Sequence, residues 1–196
     1  MNVEGVVLAA GYSSRAGAFK PELDLGGKTV IERCVDGLAA VCSRVVVVGG
    51  FRIERIRAIL EGYPGVEVVY NRDYATGMFS SVKAGTLQVR AERFFVTPGD
   101  YPLINPAVCR ELLAVDGAIV IPAWGGRKGH PVLMAGSLAT ALVQADASDN
   151  LRDFIHRKGF QTLEVDDEGI LLDIDTPEDY QRILKRFEDG GGNDGS

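Results

Sequence analysis

Two kinds of apolar pattern alternate along the chain. Short, nearly unbroken β-branched runs occupy residues 3–10, 44–48, 66–70, 93–97 and 117–122, and each reads as a strand covered on both faces. Between them apolar residues recur at helical spacing over 30–41, 53–61, 80–89 and 106–114. Strands alternating with helices predict an α/β fold: three layers, α/β/α, around a mostly parallel, Rossmann-like central sheet. After Pro122 the rhythm loosens. Residues 123–129 are glycine-rich and basic, 131–134 read as a short strand, and helices are expected over 137–145 and 150–158. Thr176-Pro177-Glu178-Asp179 predicts a helix start, with Thr as N-cap, Pro at the first helical position and an acid at the third. That helix should run to about residue 188. Residues 189–196 hold four glycines and no apolar side chain, so a single domain over 1–188 followed by a disordered tail is expected.

Composition narrows the possible partners. A chain of 196 residues can bury a core without a disulfide or structural metal. Its 21 basic and 27 acidic residues give a net charge of −6, which argues against general nucleic-acid binding; any polyanion must meet a local basic spot. No apolar run approaches the ~18 residues of a membrane helix, and residues 1–4 lack the basic and apolar regions of a signal peptide, so no membrane partner and a cytoplasmic location are expected. Cys34, Cys42 and Cys109 include no C-x-x-C pair and read as small buried apolar residues.

The 24 glycines suggest loops lined by backbone, and one such loop stands where chemistry is expected. The first strand runs into Leu8-Ala9-Ala10-Gly11-Tyr12-Ser13-Ser14-Arg15-Ala16-Gly17-Ala18-Phe19-Lys20. In open α/β sheets ligands bind at the carboxyl ends of strands. Small residues there let successive N–H groups approach an anion, and Arg15 and Lys20 add the positive charge that a triphosphate needs. Two better-known phosphate motifs fail. Gly26-Gly27-Lys28-Thr29 resembles the end of a P-loop, but Glu22 stands where its first glycine should be, and no G-x-G-x-x-G follows the first strand.

The run L-A-A-G-x-S-S-R-x-G-x-x-K resembles the signature of the MobA-like nucleotidyltransferases, particularly the molybdenum cofactor cytidylyltransferases. Further similar segments follow in order: Asn71 to Ser81 resembles N-x-x-x-x-x-G-M-x-x-S, Gly99-Asp100-Tyr101-Pro102 resembles G-D-x-P, Gly129-His130-Pro131 resembles G-H-P, and the stretch from Asp173 to Asp179 resembles D-I-D-T-P-E-D. The resemblance implies the fold of the nucleotide-diphospho-sugar transferases. It also implies transfer of a nucleoside monophosphate, CMP from CTP, to a phosphorylated small-molecule acceptor, molybdopterin cofactor, with release of pyrophosphate. Leu8, Ala9, Ala10, Gly11, Ser14, Arg15, Lys20, Asn71, Gly77, Ser80 and Ser81 would contact the nucleotide, and His130 would lie beside the acceptor. Asp100, at a strand end, and Asp175 would hold Mg²⁺, with Asp173 on the same face as Asp175 if that segment is extended. Arg15, Lys20 and Asp100 would carry catalysis by positioning and charge neutralisation. The resemblance also leaves room for transient contact with a molybdoenzyme or chaperone.

Three departures stand beside it. Ala16 replaces a usual Met, Lys20-Pro21-Glu22-Leu23-Asp24 carries two acids at commonly apolar positions, and Ser148-Asp149-Asn150-Leu151-Arg152 replaces a G-D-x-G-A-R-like acceptor loop. The alternatives are transfer to a sugar or alditol phosphate, or a nucleotide-binding module without turnover. Ser80 and Ser81 read equally as helix caps, and His156 as a surface residue.

Overall fold

The computed structural model describes residues 2–12 and 19–190, the last two by backbone alone. Eight strands form one sheet: β1 (Val3–Ala9), β2 (Arg44–Gly49), β3 (Val66–Tyr70), β4 (Arg93–Pro98), β5 (Ile119–Trp124), β6 (Arg127–Lys128), β7 (Val132–Ala135) and β8 (Gln161–Glu164). The order is β3-β2-β1-β4-β7-β5-β6, with β8 also on β5. The pairings β1/β2, β2/β3, β1/β4 and β5/β8 are parallel, while β7 runs antiparallel between β4 and β5.

Alternate residues of the central strands feed opposite faces. Val7, Val45, Val47 and Phe95 pack against α1 (Val30–Ala39), α2 (Ile53–Ile59) and α4 (Pro106–Leu113). Val6, Leu8, Val46, Val48 and Phe94 pack against α3 (Met78–Thr86), α5 (Ala139–Gln144) and α6 (Leu151–Lys158). The three-layer architecture expected from the sequence is therefore present. Helix α3 lies close on β1 and β2 because residue 85 is glycine: a Cβ there would fall 2.4 Å from Val6 Cγ1 and 2.8 Å from Val48 Cγ2. The last helix, α7 (Pro177–Gly190), starts as read, since Thr176 Oγ1 accepts from the Asp179 N–H while Asp179 accepts from the Thr176 N–H. It runs two residues past the expected end, and the rest of the expected disordered tail, 191–196, lies outside the described residues. Among the described residues no helix is long and apolar enough to cross a membrane.

Strands β6 and β8 escape the sequence reading because they are short, largely exposed and without apolar alternation. Helix α3 starts at Met78, ahead of the expected residue 80, because Gly77 takes φ +120° and forms the N-cap itself. Ser80 and Ser81 are thus inside the first turns and do not cap. Cys34 and Cys109 are buried, Cys42 partly so, and burial pushes the last two thiols up to about 12. The Gly26–Thr29 stretch closes a turn, with Lys28 Nζ 2.6 Å from Asp36 and Thr29 in a capping box with Glu32.

Candidate active site

Strand order reverses at β1, whose neighbours are β2 on one side and β4 on the other, so the crevice at their carboxyl ends is a topological switch point. Three segments distant in sequence meet there. Gly11 follows β1, and Lys20 opens a 3₁₀ turn at Lys20–Glu22 anchored by the buried Phe19 and Pro21. Asp100 follows β4, where the Gly99 N–H donates to the Leu8 carbonyl at 2.8 Å. The third segment, 172–175, is pinned by the Ile174 N–H, which donates to the Asp100 carbonyl at 3.0 Å, while the Ile174 side chain is fully buried with Leu25, Val30 and Ile183. Burying Ile174 turns Asp173 and Asp175 together the other way.

The result is a three-carboxylate cluster. Asp100, Asp173 and Asp175 each present an oxygen, and these oxygens all lie within 4.8 Å of one another. Hard divalent cations take such oxygen donors, so the donor set fits Mg²⁺ in charge and chemistry. Lys20 Nζ lies 2.7 Å from Asp175 Oδ1 and 3.2 Å from Asp100 Oδ2, with its side chain 12% exposed. Burial works to lower the Lys20 pKa, but the hydrogen bonds and charges of Asp175 and Asp100 outweigh it and leave it raised. Asp100 is also raised, by burial that the Lys20 charge offsets only in part, and Asp173 is raised by burial and then by the charges of Asp100 and Asp175.

A cleft of about 140 Å³ lies against this cluster, lined by Leu8, Ala9, Gly11, Lys20, Pro21, Met78, Pro98, Gly99 and Asp100. Ala10 is buried and its carbonyl accepts from the Phe51 N–H at 3.2 Å. Met78, 65% exposed, is shared with a larger groove of about 910 Å³, which runs along α3 past Asn71, Gly77, Ser80 and Lys83 to Ser148, Asp149 and Asn150. Asn71 and Ser81 are buried: the Asn71 amide donates to Ser80 Oγ at 2.8 Å and Ser81 Oγ at 3.0 Å, and Asn71 Oδ1 accepts from the Asp73 N–H. The Ser80 hydroxyl is bonded within the same turn, to the carbonyls of Asp73 and Gly77. These three side chains hold the turn together. Ser14 and Arg15 lie outside the described residues.

His130 lies behind the cluster. Its ring packs on Tyr101, the neighbour of Asp100, with centroids 4.7 Å apart, and its buried Nδ1 has no hydrogen-bond partner among the described residues. Burial pushes its pKa down to about 4, against a backbone hydrogen bond at Val96, so the imidazole is neutral at pH 7. His156 is exposed. The two acids at unusual positions have local uses: Glu22 pairs with Arg55 on α2, and Asp24 Oδ1 accepts from the Gly27 N–H at 3.3 Å. Tyr101 and Met78 were not singled out by the sequence. Their position beside Asp100 and Gly77, in segments already marked, is the signal that could have found them.

The MobA-like NTP transferase domain family matches residues 5–163. The chain is 30% identical over 187 residues to the molybdenum cofactor cytidylyltransferase of Escherichia coli K12, covering 94% of this chain and 97% of that protein. It is 31% identical over 134 residues to a probable molybdenum cofactor guanylyltransferase of Methanosarcina mazei, covering 65% of this chain and 60% of that protein. Among solved structures, a nucleotidyl transferase from Methanothermobacter matches with a TM-score of 0.84 at 27% identity, over 96% of this chain and 99% of that one. With a matching sheet, a cleft at its switch point and sequence similarity across most of its length, the chain belongs to the MobA-like NTP transferases.

Proposed function

We propose that this nucleotidyltransferase transfers CMP from CTP to molybdopterin cofactor and releases pyrophosphate. The observation that carries the reading is the meeting of Lys20, Asp100 and Asp175 beside the Gly11 backbone at the switch point. The choice of base and acceptor is supported by the similarity to a cytidylyltransferase over 94% of the chain. Asp100, Asp175 and Asp173 would hold Mg²⁺, which would supply charge neutralisation to the triphosphate.

The chain's own residues do the rest. Lys20 and the backbone at Leu8, Ala9 and Gly11 bind the phosphates, joined by Ser14 and Arg15. Gly77 and Ser80 form the base-side wall, with Asn71 and Ser81 positioning that turn and Ala10 fixing the strand end. His130 acts on the acceptor side through Tyr101. The acceptor's phosphate is ionised at neutral pH, so no side chain has to remove a proton as its oxygen attacks the α-phosphorus in line. The protein would work in the cytoplasm.

A specific observation favours a second reading, in which the acceptor is a sugar or alditol phosphate. The loop that departs from the cytidylyltransferase pattern is folded on itself, with Asp149 paired to Arg157 and Asp146 accepting from both the N–H and the hydroxyl of Ser148. The test is pyrophosphate release with Mg²⁺, each of the four NTPs, and molybdopterin beside a panel of sugar and alditol phosphates. Release with CTP and molybdopterin alone is expected. Release only with another acceptor would replace that assignment, and release with no donor and acceptor would remove the enzymatic reading.

A further inference from the structure

We propose that Lys20 is a resident counter-ion of the three-carboxylate site, and must leave it before those carboxylates can hold a divalent ion, so that metal and triphosphate are taken up as a unit. The proposal rests on the assignment of Asp100, Asp173 and Asp175 as the metal ligands.

Lys20 is not a surface lysine that happens to point inward. It sits between the buried Phe19 and Pro21, and its Nζ bridges Asp175 Oδ1 at 2.7 Å and Asp100 Oδ2 at 3.2 Å. An ammonium donates only, and here it occupies two carboxylates that a divalent ion would need as ligands at about 2.1 Å. An ion bound there would leave two cations within contact range among half-buried carboxylates, an arrangement that Coulomb repulsion opposes. Lysine and metal therefore compete for Asp100 and Asp175.

A triphosphate resolves the competition, because its oxygens accept the charge-assisted hydrogen bonds that Lys20 gives up. Gly11 and Lys20 line the same cleft, so the lysine has anionic oxygens within reach once that cleft is filled. Nucleotide then raises metal affinity and metal raises nucleotide affinity by the same factor. Without nucleotide, the fraction of molecules with open carboxylates limits metal binding.

The competition reverses the usual sign for losing a site residue. With Mn²⁺ alone as probe, titrated into nucleotide-free protein and read by the electron paramagnetic resonance of the free ion, Lys20→Met should bind roughly ten-fold tighter than wild type. Lys20→Arg, which keeps the cation, should stay near wild type, and Asp175→Asn should bind more weakly. Should Lys20→Met fail to fold, Lys20→Gln carries the same expectation. Binding by the neutral variant that is no tighter than wild type would overturn the proposal. Unchanged Mn²⁺ binding in Asp175→Asn would place the ion elsewhere and remove the metal assignment with it. A negative CMP-transfer assay alongside tighter Mn²⁺ binding in Lys20→Met would sustain the proposal and change only the donor or acceptor.

Discussion

The two ends of the β1/β4 strand pair carry charged clusters of opposite character. At the amino end Glu4, 4% exposed, pairs with Arg44 Nε at 3.0 Å and accepts from the Arg90 and Ala91 N–H groups at 2.8 and 3.4 Å. Arg44 reaches on to Glu67 at 2.8 Å and to the Gln88 carbonyl. Every charge there has a fixed partner from the protein. At the carboxyl end Asp100, Asp173 and Asp175 cluster beside a cleft, and Lys20 bridges two of them. Both clusters join distant segments, yet the first closes a structure and the second lines a cleft. Access to a cleft, more than burial or charge alone, separates them.

Removing single charges tests this contrast, and the largest effect is expected at the cleft end. Asp100→Asn should lower kcat by roughly 10²–10³-fold while thermal melting stays near wild type, because the proposed metal ligand is lost without a core contact. Lys20→Ala should lower kcat/KM for the NTP roughly 10²-fold, measured by pyrophosphate release at limiting nucleotide. At the amino end, Glu4→Gln should cost about 2 kcal/mol in urea unfolding and leave kcat unchanged in the folded fraction. If Glu4→Gln instead cut turnover as deeply as Asp100→Asn, the distinction would collapse. The Asn71 turn supplies a neutral intermediate case: Ser81→Ala should cost about 1 kcal/mol of stability and move KM more than kcat.

Most of the architecture was legible because burial wrote it into local patterns. The five long apolar runs became β1 to β5, and the short strand anticipated over 131–134 formed one residue later, at Val132–Ala135. What local pattern cannot show is the insertion of β7 between β4 and β5, or the pairing of β8 with β5, since strand order depends on nonlocal backbone hydrogen bonds. The site divides in the same way. Asp100 and Asp175 stood out in their motifs, and Asp173 as a neighbour on the same face. That Lys20 would lie on both carboxylates, 80 and 155 positions away, follows from the Ile174 N–H bonding to Asp100, which no spacing announces. Asn71, Ser80 and Ser81 show the opposite limit: a motif marks polar residues without saying which hold the backbone and which face solvent.

Gly85 also limits how such a protein can change its preferences. Helix α3 begins at the wall that Gly77 and Met78 build between cleft and groove, about 12 Å along the helix from Gly85. Since any side chain at residue 85 would collide with Val6 and Val48, the helix has no slack toward the sheet, and moving away from it would uncover Phe79 and Val82. A lineage diversifying toward a new base or acceptor could not do so by sliding this wall. It would have to rewrite the exposed turn ahead of the helix or the loop at 147–150, and selection experiments on this scaffold should recover their gains there.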